Sequence, residues 1–86
     1  MTTVSERIIK LVAVSMQFSQ DRITLSTSFV TDLAADSLST FGLIGEIESH
    51  FKVRLSDEDV ENIMTVDDLV KLVERALSEV PGESQL

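Results

Sequence analysis

The sequence has no cysteine, tryptophan or tyrosine, and only one histidine, one proline and three glycines in 86 residues. Without cysteine there is no disulfide, no thiolate nucleophile and no Cys-based metal site. A lone histidine, His50, is too little for a His-rich zinc site and a poor start for a Ser-His triad. The glycines, Gly42, Gly45 and Gly82, form no Gly-rich phosphate cradle. Positive charge is also scarce. Seven Lys and Arg against fifteen Asp and Glu leave a net charge of −8. Such a chain repels phosphate backbones, which argues against nucleic acid as a ligand. Long apolar runs are missing: the longest, Leu11 to Val14, has four residues, where ~20 are needed to span a bilayer. Met1 to Glu6 carries an acid where a signal peptide would carry bases. The expectation is a soluble, cytoplasmic chain with no membrane span.

Apolar residues make up 43% of the chain and charged residues 26%, enough apolar content for collapse rather than disorder. At this length folding buries only ~60–65% of the unfolded surface, so a second core does not fit. One domain is expected over residues 1–80. Pro81 and Gly82 mark the end of structure, with residues 81–86 a flexible tail. The acids are concentrated: from Asp32 to Asp68 there are ten acids and two bases, the whole net charge. That segregation points to an acidic face able to steer a basic partner surface.

Periodicity predicts a helix from Val4 to about Phe18, with Ile8, Leu11, Val12 and Met16 as its apolar stripe and Thr3 or Ser5 as its cap. Ile9 and Val14 fall off the stripe and either widen it or lie exposed. A long connection follows, from Ser19 to Asp36. Ile23, Leu25, Phe29, Val30 and Leu33 are its apolar anchors, with a turn of helix expected around Phe29 to Leu33. Connections this long in small domains are often functional. A second helix is predicted from Ser37 to about Phe51, capped by Asp36, with Leu38, Phe41, Leu43, Ile44, Ile47 and Phe51 as its stripe. Gly42 and Gly45 each cost it roughly 0.5–1 kcal/mol relative to Ala. Either something offsets that cost, such as the close approach of a partner, or the glycines lie on an exposed face. Ser56 caps a short helix that buries Val60 and Ile63. Thr65 caps a last one that buries Val66, Leu69, Val70, Leu72, Val73, Ala76 and Leu77. The predicted fold is all-α: a small antiparallel bundle of three main helices plus one short helix, with a long loop between the first and second helices and no convincing strand.

Ser37 is the residue with chemical interest. It stands at the first turn of a predicted helix, after a loop and beside an acid. A phosphate ester there would lie in the favourable field of the helix start. An ordinary cap or solvated serine fits the same position. His50 is thirteen residues further on, ~20 Å along a helix, and cannot serve Ser37 as a base within it. Asp57-Glu58-Asp59 lacks the glycine and spacing of a calcium loop. No base, nucleophile pair or metal set emerges, so a non-catalytic protein is expected.

The string Phe29-Val30-x-Asp32-Leu33-x-Ala35-Asp36-Ser37-Leu38 resembles the attachment motif of the acyl carrier protein family, the phosphopantetheine-bearing helical bundles of fatty-acid and polyketide synthesis. Ile63-Met64-Thr65-Val66-Asp67-Asp68-Leu69 is similar to that family's entry into its last helix. The resemblance runs from about Val4 to Leu77. It implies that Ser37 is the attachment site of 4′-phosphopantetheine, transferred from coenzyme A by a separate phosphopantetheinyl transferase that binds its own magnesium. Asp36 and Leu38 would help that enzyme recognise the site. The arm's thiol would carry acyl groups, which in the family can fold back into the bundle; the matching positions are Ile47, Leu55, Val60 and Ile63. Leu38, Phe41, Gly45, Glu46 and Glu48 would face partners, namely acyl-loading and acyl-transfer enzymes with basic docking surfaces. No resident metal is implied, and a monomer is expected. The chain departs from common fatty-acid members at Ser39 and Gly42, where acids are usual, at Ala34, where glycine is usual, and at Gly45, where a bulky hydrophobe is usual. A specialised carrier is the expectation. The alternatives are an aminoacyl or peptidyl carrier, whose attachment loop is often richer in glycine, and a helical protein-interaction domain that is never modified.

Overall fold

A computed structural model describes residues 3–34 and 36–79, with the backbone alone at Ser37 and Glu79. The expected tail, 81–86, lies outside the described residues. The first helix, α1 (Val4–Met16), begins at Thr3 rather than Ser5. The Thr3 hydroxyl accepts from the Glu6 N–H at 3.2 Å, and the Glu6 carboxylate accepts from the Thr3 N–H at 3.0 Å. Two of the orphan donors at the helix start are met by this reciprocal pair. α1 stops short of the expected Phe18. Gln17 turns left-handed at φ 61°, and the Phe18 N–H closes back on the Ala13 carbonyl at 2.9 Å. Ile8 and Val12 are fully buried, and Ala13 joins them. Ile9 packs partly against the core, whereas Val14 is 68% exposed.

The connection from α1 to the next helix is tied down by the far end of the chain. A short 3-10 turn, Gln20–Arg22, leads into it. The first N–H groups of the last helix, α4 (Val66–Glu79), have no partner within that helix. Loop carbonyls supply them: the Val66 N–H donates to Thr27 at 3.0 Å and the Asp67 N–H to Leu25 at 2.8 Å. The Phe29 N–H returns a bond to the Met64 carbonyl at 3.0 Å. Ser28 and Thr65 thereby form an isolated antiparallel bridge, the only pairing of that kind among the described residues. Thr27 is buried, and its hydroxyl accepts from the Thr24 N–H. The turn expected around Phe29 to Leu33 closes on the Ser28 carbonyl, which accepts from both Asp32 and Leu33. Ile23, Phe29 and Leu33 reach the core, but Leu25 and Val30 do not: both are exposed.

The second main helix, α2 (Ser37–Phe51), has the expected limits and ends at a left-handed Lys52. Its stripe is narrower than predicted. Leu43, Ile44 and Ile47 are buried and Phe51 is half-buried, while Leu38 is 80% and Phe41 65% exposed. At 100° per residue, Leu38 lies about 180° around the helix from Ile47, so one face cannot hold both. Gly42 and Gly45 share the outward side, and a β-carbon added at either would meet nothing within 4 Å. Among the described residues no close approach accounts for them.

The short helix, α3 (Asp57–Glu61), is capped by the Ser56 hydroxyl, which accepts from the Asp59 N–H. Val60 and Ile63 are half-buried rather than buried. Ahead of α4, the Thr65 hydroxyl accepts from the Asp68 N–H, and the Asp68 carboxylate accepts from the N–H groups of Met64 and Thr65. Val66, Leu69, Val70 and Val73 enter the core. Leu72 and Ala76 only flank it, and Leu77 is exposed at the helix end. α1 packs on α2 and on α4. Four α-helices and no strand among the described residues make the expected all-α bundle.

Candidate functional site

The start of α2 is organised by Asp36. Its backbone is extended, and its carboxylate accepts from the Ser39 N–H at 2.8 Å. That bond, with help from the Ser39 hydroxyl and a weaker one from the Leu38 N–H, holds the Asp36 carboxyl below the ordinary aspartate range. Position 37 is the first residue of the helix proper, where the dipole of fifteen aligned residues favours an anion. Ahead of it, Ala34 stands at φ 52°, a left-handed conformation uncommon for any residue with a β-carbon.

A groove of about 440 Å³ opens beside this helix start. Phe29 and Val30 line it from the loop, Asp36, Thr40 and Phe41 from α2, and Asp57, Val60, Glu61 and Ile63 from α3 and the residues after it. Thr40 and Phe41 lie three and four residues beyond position 37, so they share one face of α2 with it. The groove therefore lies against the face of α2 that carries position 37. A phosphodiester at the helix start and a flexible arm along an apolar groove fit the residues present.

The residues singled out in the sequence fall into three places. Asp36, Val60 and Ile63 line the groove, and position 37 follows Asp36 as the first residue of α2. Ile47 and Leu55 do not line it; they are buried in the bundle core. Leu38, Gly45 and Glu46 are exposed on α2, and Phe41 is both exposed and part of the groove. Glu48 is half-buried, and its carboxylate accepts from the Leu55 N–H at 2.8 Å, fastening the loop that follows α2. Sequence reasoning missed Phe29, Val30, Thr40, Asp57 and Glu61 as groove residues. Thr40 could have been found from its three-residue offset to Ser37. Asp57 and Glu61 depend on how α3 is turned, which no local pattern specifies. Among the described residues no three His, Asp or Glu side chains converge as metal ligands, and no helix is long and apolar enough to cross a membrane.

Comparison with known proteins agrees with this geometry. Residues 6–73 match the family model described as a phosphopantetheine attachment site. A solved structure from Mycobacterium tuberculosis, assigned as a candidate acyl carrier protein, is 33% identical over 85% of this chain and 97% of its own, with a TM-score of 0.79. The chain thus belongs to the acyl carrier protein family, whose attachment domain holds 4′-phosphopantetheine as a covalent prosthetic group.

Proposed function

We propose that Ser37 is the attachment residue and that the protein carries acyl intermediates of fatty-acid, polyketide or related specialised lipid synthesis between partner enzymes. The single observation behind this is the coincidence of the groove with the helix face bearing position 37. When bound, the prosthetic group supplies a thiol for thioester linkage of the cargo. The polypeptide supplies placement. The start of α2 provides the field for the phosphate, and Asp36 fixes the local backbone while presenting a charge to the transferase. Phe29, Val60 and Ile63 offer an apolar surface to the chain. The exposed Leu38, Phe41 and Glu46 form the outward surface of α2 on which enzymes with basic docking faces settle. In this reading the chain is a soluble, monomeric carrier without catalysis of its own.

The test is incubation with coenzyme A and a broad-specificity phosphopantetheinyl transferase, followed by intact mass measurement. A gain of one phosphopantetheine is expected for the native chain and none for Ser37→Ala. A native chain that gains nothing, or a Ser37→Ala variant that still gains, would overturn the assignment.

A further inference from the structure

The four acids of α3 do not share one environment. Asp59 is engaged by the Arg75 guanidinium of α4 at 3.1 Å. Asp57 and Glu61, one helical turn apart, line the groove instead, and neither forms an ion pair among the described residues. Asp36 adds a third carboxylate from α2, and Thr40 adds a hydroxyl. Among the described residues no Lys, Arg or His lines the groove. The remaining lining is hydrocarbon: Phe29, Val30, Phe41, Val60 and Ile63. An apolar groove with carboxylates of one sign and no cation is built to discriminate by charge. Burial of a hydrocarbon chain is favoured at any end group, but an anionic end must approach Asp57 and Glu61, which have no ion-pair partner among the described residues. One unit-charge pair at contact distance changes an equilibrium by roughly fivefold in water.

We propose that this groove selects cargo by charge, seating acyl chains with an apolar body and a neutral or ammonium end and turning away chains that end in a carboxylate. The inference rests on the attachment reading above and names the cargo class of the same site. Asp57 and Glu61 are its specificity-determining residues. The alkyl chain sets the baseline of seating, the ammonium chain gains from the same two carboxylates, and the carboxylate chain loses. Because all three groups are near solvent, the discrimination shrinks as salt is raised.

The experiment loads the full chain with three acyl-coenzyme A donors of equal length, ending in methyl, ammonium and carboxylate. Loading is confirmed by intact mass, and methyl NMR signals of Val60 and Ile63 are compared with those of the arm-only form. The expected result is shifted signals for the methyl and ammonium chains, and seating reduced at least about threefold for the carboxylate chain. Glu61→Gln is expected to restore part of the carboxylate chain's seating. It removes a charge from the C-terminal end of α3, where an acid is unfavourable, so it spares the fold. Asp57→Asn gives a second, independent check. Equal seating of all three chains, seating of none, or a carboxylate chain unaffected by both substitutions overturns the charge selection while leaving the attachment site intact. Failure of all three donors to load overturns the attachment reading and this inference together.

Discussion

The two ends of this small bundle are packed by different rules. Where α1, α2 and α4 meet, Ile8, Val12, Leu43, Ile47, Leu69 and Val73 are completely buried. At the groove, Val60 and Ile63 are half-covered, and Val30 and Phe41 stand largely in solvent. Both regions use the same aliphatic and aromatic chemistry. The difference is in the partner surface: three long helices close on one another at the first, while at the second a five-residue helix and a loop leave space. The closed region holds the fully buried core, and the open one leaves space beside α2.

Substitutions can sharpen that contrast. The largest effect is expected from Ile47→Ala in the closed region, a loss of about 2–5 kcal/mol in denaturant unfolding. Val60→Ala at the groove should cost roughly 1 kcal/mol or less, because its side chain is only partly removed from water. Equal losses would show that the groove is as tightly packed as the core. Next comes Gly45→Ala on the open outer face of α2, expected to stabilise by about 0.5–1 kcal/mol through helix propensity alone, since the added carbon meets nothing. A loss of stability there would mean that this face is already packed against something.

The smallest effect belongs to Asp68. The N–H groups of Met64 and Thr65 are the main causes that hold its carboxyl below the ordinary value of 3.8. A depressed folded-state pKa contributes stability that is fully present above the unfolded value and is lost as pH falls through the folded one. The native chain should therefore exceed Asp68→Asn in stability at neutral pH, with the gap narrowing below about pH 4. A gap that widens on acidification would contradict these bonds. The carboxylate is exposed, so the difference is modest.

The helices were legible because their signals are local. Thr3, Asp36, Ser56 and Thr65 each stand where a cap is needed, and each side-chain oxygen accepts the expected backbone N–H. The limits of α2 followed directly. Burial was less legible, because apolar character alone does not say which way a residue faces. Apolar character puts Leu38 and Phe41 in the predicted stripe, yet Leu38 lies opposite Ile47 and Phe41 about 120° from it around the helix. Val60 and Ile63 were expected inside because nothing in the sequence reveals how little α3 covers. At the candidate site an extended motif points to Ser37 and Asp36, whereas no local signal points to Asp57 and Glu61 as groove residues. Their place in the groove follows from the rotation of α3, set by contacts distant in the chain such as Asp59 with Arg75.

The crossing loop has one further consequence. Its carbonyls at Leu25 and Thr27 complete the opening turn of α4, and Phe29 answers with a bond to Met64. Swinging this stretch outward would fray a helix that begins at Val66, 41 residues after Leu25. The loop ahead of α2 is thus a fixed pier. With the arm moored at Ser37 as proposed, reach would come from that tether and from tumbling of the whole particle.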